Sequence, residues 1–447
     1  MRTRRSAYPR LTQVWSVRTA RRAVLVALAT FALPSVAASQ HRHDAPRVSL
    51  ASDTLATAPT TPSRPVADSA RVADSLLRVC QPHVRHSADA YSGCIGTGLA
   101  ALSAAGNIAL ALGTLDRVVN TDRSLVLLGH PLAHALGYAV QSTPKTASSL
   151  LAQCDQRYQS GCYHGILQRY FAARMGMPIT ESMLMAPCEP FRGTSQQFRL
   201  FDCLHGTGHG LMMYHRYDAR AALPDCDRLA TEWDRSSCYG GVFMEHNMGA
   251  RMQAFGEGEV GMHRHSTPSP KLTLFKPNDL HYPCNITPER YRRECYALQA
   301  DIILPALKQN YLKASKVCDA AGSPPLVRAC YAGLGRNASG AAAQGFEGIK
   351  RRCANASPWG APFCYEGAVR QLAYAPGELQ RGVSFCKTLP VGPLRARCWG
   401  GLGLQIGGFF SDIAARRRAC ESDRAADVAP CINGAGAAPT PVAEEEL

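Results

Sequence analysis

Short motifs that identify common enzyme classes are missing from this chain. It contains no G-x-S-x-G turn for a nucleophilic serine, no glycine-rich phosphate loop and no C-x-x-C-H site for haem attachment, and no glycine motif follows a predicted strand as a dinucleotide fingerprint requires. These absences argue against nucleophilic hydrolases and nucleotide-dependent enzymes. The C-x-x-C spacing is also absent although the chain has 18 cysteines, so neither a zinc ribbon nor a thioredoxin-like redox motif is indicated.

A concentrated positive charge is missing once the N-terminal segment is set apart. Residues 1–38 hold seven arginines, no acidic residue, an apolar run at 23–33 and a closing Val36-Ala37-Ala38, which is the pattern of a secretory signal peptide. Without this segment the 49 basic residues fall to 42 against 34 acidic ones, and the formal net charge falls from +15 to +8. No basic block with interleaved aromatic residues remains, so a nucleic-acid partner is not indicated.

The signal peptide predicts an exported protein, either periplasmic or extracellular. An uncleaved membrane anchor is the alternative, but the apolar run is shorter than the roughly 20 residues that a membrane-spanning helix needs. We therefore expect no stable membrane insertion after signal removal. The alanine- and glycine-rich stretch at 95–115 is weakly hydrophobic, and we interpret it as a buried helix.

Cysteines are the most informative residues present. They form nine successive close pairs whose partners lie 8 to 15 residues apart. An exported protein meets the oxidising conditions that disulfides need, so we predict a disulfide within each pair, although spacing alone does not fix the connectivity. The predicted pairs are Cys80 with Cys94, Cys154 with Cys162, Cys188 with Cys203, Cys226 with Cys238, Cys284 with Cys295, Cys318 with Cys330, Cys353 with Cys364, Cys386 with Cys398, and Cys420 with Cys431.

The cysteine pairs recur with a period. From Cys154 onward, the first cysteines of successive pairs are separated by 34, 38, 58, 34, 35, 33 and 34 residues, which indicates a repeat protein. In each C-terminal unit a helical stretch leads into the first cysteine, a turn with proline or glycine usually follows, and the second cysteine opens another apolar stretch. The sequence therefore predicts an all-α fold of α/α-hairpin repeats, solenoid-like, with about one disulfide per repeat.

Two further positions recur in the units. An aromatic residue follows the second cysteine in six units, and glycine stands three residues after that cysteine in seven. Glycine within a helix costs about 1 kcal/mol relative to alanine, so its recurrence predicts a close approach of neighbouring backbones. The architecture resembles the α/α-repeat families, namely tetratricopeptide proteins and especially their cysteine-rich Sel-like relatives, over roughly Cys154–Cys431. The cysteine spacing is wider here, and the resemblance implies a scaffold without carrying over any functional residue.

Composition divides the chain into five segments. The linker and the tail are rich in small residues and proline without hydrophobic periodicity, which is typical of disorder. An insertion near 247–283 accounts for the 58-residue step, and we interpret it as a lid or as a disordered loop. The predicted segments are a signal peptide (1–38), a disordered linker (39–75), a histidine- and methionine-rich helical half (76–281), regular disulfide-stapled repeats (282–434) and a disordered tail (435–447).

Histidine and methionine are confined to one part of the chain. All fourteen histidines precede Pro283, and every methionine except the initiator lies between Met175 and Met262. The C-terminal repeats need neither residue type, so these residues are candidates for function. The segments LGHPLAHALGY and CLHGTGHGLMMY each carry two histidines four residues apart, which share one face of a helix and can bind one metal ion. The glycines of the second segment predict that another group comes close to its backbone.

A further histidine links the two segments. His164 stands two residues after its cysteine, at the repeat position of His205, and equivalent helices of a solenoid stack side by side. We therefore predict a wall of histidines that binds a metal ion, with His130 and His134 as a second pair because Pro131 weakens their geometry. The predicted metal ligands are His130, His134, His164, His205, His209 and His246.

The residue types also limit the chemistry. No glutamate follows the first histidine of either pair, so the zincin motif is absent. Three histidines with an open position suit zinc and its activation of water, with Glu245 as the predicted catalytic base or as a residue that orients a ligand. The scarcity of carboxylates argues against calcium and magnesium. Neighbouring methionines leave copper as an alternative to zinc, and iron is another, although methionine also fills irregular cores.

The competing hypothesis is a non-enzymatic scaffold of the cell envelope. A concave helical wall would then bind a peptide or an envelope protein, as solenoid proteins commonly do, through a groove of tyrosines, methionines and small residues. The sequence does not decide between this binding function and a metal centre.

Overall fold

Helices and turns make up the part of the chain that the structure describes, a computed structural model covering residues 66–193, 197–256 and 271–436. Within these ranges there are nineteen α-helices and no β-strand, which confirms the all-α prediction. The predicted signal peptide and most of the predicted linker and tail lie outside the described residues. In chain order the helices are α1 (Val66–Cys80), α2 (Ala88–Ala104), α3 (Ile108–Thr121), α4 (Gly129–Tyr138), α5 (Ala147–Leu151), α6 (Gly161–Ala172), α7 (Glu181–Met185), α8 (Gln197–Tyr214), α9 (Ala219–Cys226), α10 (Glu232–Phe255), α11 (Glu289–Ala306), α12 (Tyr311–Asp319), α13 (Pro324–Ala338), α14 (Glu347–Cys353), α15 (Ala361–Leu372), α16 (Leu379–Lys387), α17 (Pro393–Phe409), α18 (Ile413–Ala419) and α19 (Ala425–Gly434).

Disulfides fasten the corner of each hairpin. All nine predicted pairs are bonded, always between neighbouring cysteines, with Cα atoms 5.4 to 5.8 Å apart. The bonds join Cys80 to Cys94, Cys154 to Cys162, Cys188 to Cys203, Cys226 to Cys238, Cys284 to Cys295, Cys318 to Cys330, Cys353 to Cys364, Cys386 to Cys398, and Cys420 to Cys431. The connectivity that spacing alone left open is therefore pairing between neighbours throughout.

The hairpins share one plan. In most units a short helix leads to the first cysteine, and a longer second helix carries the other cysteine near its start. The hairpin of α3 and α4 lies between the first two disulfides and has none. Nine intramolecular disulfides point to an oxidising, exported compartment.

The second helices of successive units stack directly on one another, in the order α4, α6, α8, α10, α11, α13, α15, α17 and α19. Recurrent glycine permits their close approach. A Cβ atom on Gly241 of α10 would lie 1.9 Å from the carbonyl oxygen of His205, and one on Gly165 of α6 would lie 2.1 Å from that of His134. The predicted contact of neighbouring backbones is confirmed, and it brings the histidine-bearing helices α4, α6 and α8 side by side.

The recurrent aromatic residue packs inside six of the hairpins. Tyr331 donates a hydrogen bond to Asp319 at 2.6 Å, and Tyr239 donates one to Asp227 at 2.5 Å. Each of these aspartates directly follows the first cysteine of its unit, so the aromatic side chain ties the second helix to the end of the first. The buried residues at this position are Tyr163, Tyr239, Tyr296, Tyr331, Tyr365 and Trp399.

The stack of second helices curves until α17 contacts α8. The ring centroid of Phe198, at the start of α8, lies 5.1 Å from that of Phe409 and 5.6 Å from that of Tyr374. The Tyr374 hydroxyl also donates a hydrogen bond to Oδ1 of Asp202 on α8 at 3.3 Å. The six second helices from α8 to α17 therefore form a closed turn around a cavity of about 1160 Å³, and each of them contributes to its wall.

Asp202 offers a test of this closure. Its side chain is almost fully buried, and burial raises the pKa of its carboxyl group to about 8. The folded protein therefore keeps a proton that the unfolded chain releases above the ordinary pKa of 3.8. The stability that this proton contributes is present below about pH 4 and is lost as the pH rises through about 8.

We expect Asp202→Asn to remove this pH dependence, because the amide has no proton to lose. As the pH rises from about 5 to about 9, the calorimetric melting temperature of the wild type should fall relative to that of the variant. The corresponding loss in the free energy of unfolding is at most about 1.4 kcal/mol per pH unit. Parallel curves for the two proteins would contradict a buried, protonated carboxyl group at the closure.

Two predicted segment boundaries differ from the structure. Helix α1 begins at Val66, inside the predicted linker 39–75, because Ala73 and its neighbours give this stretch an apolar face that packs on the core. The predicted insertion starts inside α10, which continues to Phe255. Residues 257–270 lie outside the described residues, so the predicted lid stays a prediction.

The stretch at 95–115 is helical, and most of its large apolar side chains are buried, as expected for a packed helix. It forms parts of α2 and α3, which are joined by a turn at Gly106, where the backbone has a φ of +85°. Ile95, Leu99 and Leu112 are fully buried in the main hydrophobic core. In the described ranges no helix combines the length and the hydropathy that crossing a bilayer requires.

Candidate metal centre

Five of the six predicted histidine ligands lie together where α4, α6 and α8 stack. His130 and His134 are one turn apart on α4, His164 lies on α6, and His205 and His209 are one turn apart on α8. His164 is central, since its ring contacts those of the other four. The distances between its ring centroid and the others are 5.6 Å to His130, 5.3 Å to His134, 5.3 Å to His205 and 4.5 Å to His209.

The five histidines form two groups that share one member. The first group consists of His164, His205 and His209, and the second of His130, His134 and His164. Within each group one ligand atom from every residue lies within 4.8 Å of the others, so each group could hold a metal ion. Imidazole nitrogen is a ligand for zinc, copper, iron and nickel, so this donor set suits a transition metal and not calcium or magnesium.

His164 is buried and neutral. Burial lowers the pKa of its ring well below the ordinary value, and the neighbouring histidines, His209 first, lower it further. Neither of its ring nitrogens has a hydrogen-bond partner among the described residues. An unprotonated imidazole keeps a lone pair for a metal ion, and a buried polar atom without a partner calls for an explanation.

A buried carboxylate orients His209. Nδ1 of His209 donates a hydrogen bond to Oε2 of Glu245 at 2.7 Å, while Nε2 of His209 is buried without a hydrogen-bond partner in the described ranges. Glu245 is held in turn by Gln168, which donates to Oε2 at 3.0 Å, and by Tyr217, which donates to Oε1 at 2.9 Å. This is the arrangement in which a carboxylate fixes the tautomer of a ligating histidine and leaves the other nitrogen for a metal.

The sequence predicts two alternative roles for Glu245, a catalytic base or a residue that orients a ligand, and the structure fits the second. The Glu245 side chain is fully buried and both of its oxygens accept hydrogen bonds from neighbouring side chains. A carboxylate in such a network has no oxygen turned toward the cavity to take up a proton. The role of catalytic base is not supported by this geometry.

The remaining cluster residues have their own positioning contacts. Nδ1 of His130 lies 2.6 Å from the carbonyl oxygen of Tyr158, which makes Nδ1 the protonated nitrogen and leaves Nε2 as the acceptor. Burial lowers the pKa of His205 well below its ordinary value, with His209 as the next cause, while a hydrogen bond to the Ser237 backbone acts in the opposite direction. His205 can therefore offer a neutral ring to a metal.

His246 lies outside both groups. Glu245 and His246 are successive residues of α10, so their side chains point about 100° apart around the helix, and the one that faces His209 is Glu245. Burial lowers the pKa of His246 to about 4, and its ring is near the Leu274 backbone instead. The predicted convergence thus includes His164, His205 and His209 and not His246.

The cluster borders the central cavity. His130, His164 and His205 belong to its wall, as does Met244 of α10. Met212 is fully buried in the hydrophobic core, which fits the predicted role of methionine as a filler. Small residues occupy the repeat position of His164 and His205, two residues after the second cysteine, in the next three units. These residues, Gly240, Ala297 and Ala332, line the cavity and leave the space open.

Sequence reasoning missed several residues of the site. Gln168 and Tyr217 support Glu245 from different helical units, and Tyr158 positions His130 from a loop. Gln168 stands six residues after its second cysteine, as His209 does, so aligning the repeats would have placed it on the inner wall. No comparable signal marks Tyr217.

Two other histidines have partners away from the cluster. His215 pairs with Asp225 at 2.7 Å, and the hydroxyl group of Tyr296 lies 3.2 Å from Nδ1 of His281. Neither belongs to a group of three candidate ligands in the described residues. A histidine is therefore a candidate ligand only where it lies on the stacked helices α4, α6 and α8.

Comparisons of this chain with protein-family models, with curated proteins and with solved structures find no match. The resemblance of the scaffold to Sel-like and tetratricopeptide repeats stays a prediction, whereas the all-α architecture of stacked hairpins is present.

Proposed function

We propose that this protein is an exported transition-metal protein, periplasmic or extracellular, whose histidine cluster binds zinc and exposes it to the central cavity for hydrolytic catalysis. The single observation that carries the proposal is His164, a fully buried ring with two unpartnered nitrogens among four other histidines. Without a ligand, both ring nitrogens of His164 and Nε2 of His209 would stay buried and unsatisfied.

The principal ion belongs at His164, His205 and His209. This group has the better support, because Glu245 fixes His209 and two of the three rings border the cavity. Three protein nitrogens leave a coordination position for water or substrate, as catalytic zinc sites do, whereas structural sites use four protein ligands. Zinc in such a position supplies a Lewis acid and lowers the pKa of its water to about 7.

A structural role for the ion has less support. The disulfides already staple nearly every hairpin, so the scaffold does not need a metal to hold its helices together. His130, His134 and His164 offer a second position, and His164 can bridge the two ions as an imidazolate once metal binding displaces its remaining ring proton to solvent. We therefore expect two ions per chain at saturating metal, with the first group filled first.

Elemental analysis of the mature protein, purified without chelators, tests the proposal. We expect stoichiometric zinc in the wild type and its loss from the first group in His205→Ala and in His209→Ala, because each substitution removes one of three ligands. The matched control is His215→Ala, which removes a histidine that pairs with Asp225 outside the cluster and should keep the metal. The variant His130→Ala should retain one ion and lose the second.

A wild type and variants that are equally free of metal after gentle purification would contradict the proposal. The binding scaffold would then be the better account, with the cavity as the place where a peptide or envelope component binds. Copper or iron in place of zinc would keep the site and change its chemistry from hydrolysis to electron transfer or oxygen chemistry.

A further inference from the structure

Arginines face the histidine cluster across the cavity. Arg336 on α13 and Arg370 on α15 each stand six residues after the second cysteine of their unit, the position that carries His209 in α8. Both line the cavity, as does Arg293 on α11. The closed turn therefore presents neutral histidines on one part of its inner wall and guanidinium groups on another.

Two of these arginines have no protein counter-ion. Arg336 pairs with Asp301, and Arg290 at the cavity edge pairs with Asp227 at 2.7 Å. Arg293 and Arg370, in contrast, make no hydrogen bond or ion pair with any residue in the described ranges. Glu366, the acidic residue nearest to Arg370, is engaged by Arg397 at 3.7 Å.

Arg293 and Arg370 lie near enough for their charges to act on each other. Both side chains are exposed and line the cavity. Desolvation by the surrounding protein lowers the pKa of Arg370, Glu366 raises it, and the charge of Arg293 lowers it again. Arginine stays protonated in proteins, so the cavity wall holds two like charges without a protein counter-ion, and such a pair favours a bound anion.

We propose that Arg293 and Arg370 bind the anionic group of a small-molecule substrate, a carboxylate or a phosphate, and hold that substrate in the cavity facing the histidine cluster. Guanidinium groups match both oxyanions with paired hydrogen bonds. A cavity of about 1160 Å³ is of the size that encloses a small molecule. The inference deepens the proposed function, because it gives the substrate of the metal centre a charge and a place to bind.

The two walls border one space. His164 of the cluster and Arg336 of the arginine wall line the same cavity. His205 and Arg336 also border the same cavity as Arg293 and Arg370. A substrate held by its anionic end would thus extend toward the histidines.

Calorimetric titration of the metal-loaded mature protein with inorganic phosphate, and separately with acetate, tests this inference. We expect Arg293→Gln and Arg370→Gln each to weaken binding of the preferred anion about tenfold or more, because each removes a charged hydrogen-bond donor. Arg370→Lys should retain part of the affinity through its charge. The matched control is Arg220→Gln, which removes an exposed charge on α9 outside the cavity and should change affinity less than about twofold.

The outcomes separate the two proposals. Full metal content with unchanged anion affinity in both arginine variants, or a wild type that binds neither anion, would overturn the anion site and leave the metal centre in place. A metal-free wild type whose phosphate or acetate affinity still falls in both variants would overturn the metal centre and support the anion site. The anion that responds identifies the substrate as a phosphate or a carboxylate. Both side chains are exposed, so both variants are expected to fold.

Discussion

The substitution His164→Gln is expected to abolish metal binding at both groups of histidines. His164 is the one residue that the two groups share, so its loss leaves two ligands at each position. Loss of a partner that merely orients a ligand lowers metal affinity about 10- to 100-fold, and we expect loss of the ligand itself to exceed about 100-fold. Competition with a chromophoric chelator would measure the affinity, and elemental analysis would measure the stoichiometry.

The matched control for this experiment is His246→Gln. His246 is as deeply buried as His164, and burial lowers the pKa of both rings, but His246 belongs to neither group of candidate ligands. Its replacement should leave metal stoichiometry unchanged even where it lowers the melting temperature. Equal metal loss in the two variants would show that general disturbance of the core, and not ligation by His164, explains the effect.

Gly241→Ala is expected to cause the largest loss of stability among single substitutions near the site. The added Cβ atom would lie 1.9 Å from the carbonyl oxygen of His205 and 3.1 Å from the Cα atom of Gly208. Both are backbone atoms, so no side chain can rotate away, and α8 and α10 must separate. We expect a destabilisation of about 3 kcal/mol or more, seen as a lower melting temperature, together with weaker metal binding.

A second glycine-to-alanine substitution isolates the steric cause. Gly400 lies within α17, and a Cβ atom there would have its nearest contact at 3.7 Å, from the carbonyl oxygen of Pro430. Because alanine favours the helix over glycine, Gly400→Ala should raise stability by about 0.5 to 1 kcal/mol. If Gly241→Ala were tolerated as well as Gly400→Ala, the close packing of α8 against α10 would be contradicted.

Much of the scaffold follows from local patterns in the sequence. Each disulfide closes a loop of 8 to 15 residues, so neighbouring cysteines such as Cys318 and Cys330 meet whenever a single hairpin forms. The recurrent glycines and aromatic residues act within one unit or between adjacent units. The sequence also predicts the convergence of His164, His205 and His209, because this convergence requires only that the helices of adjacent repeats stack.

The remaining features depend on relations that a local pattern does not contain. Contact of Phe198 with Phe409 joins units far apart in the chain and depends on the accumulated curvature of the stack. The cavity exists only because of that closure, so its arginines had no visible role in the sequence. The spacing in the sequence predicts His246 as a ligand. In the structure the rotation of α10 about its axis turns Glu245, and not His246, toward His209.

Anomalous scattering at the zinc absorption edge, from crystals of the metal-loaded mature protein, would locate the bound ions directly. We expect a peak bonded to ring nitrogens of His164, His205 and His209, facing the cavity, and a weaker or later-filling peak shared by His130, His134 and His164. Peaks confined to other residues, such as His215 or His281, with none between α6 and α8, would contradict a metal centre in the histidine cluster.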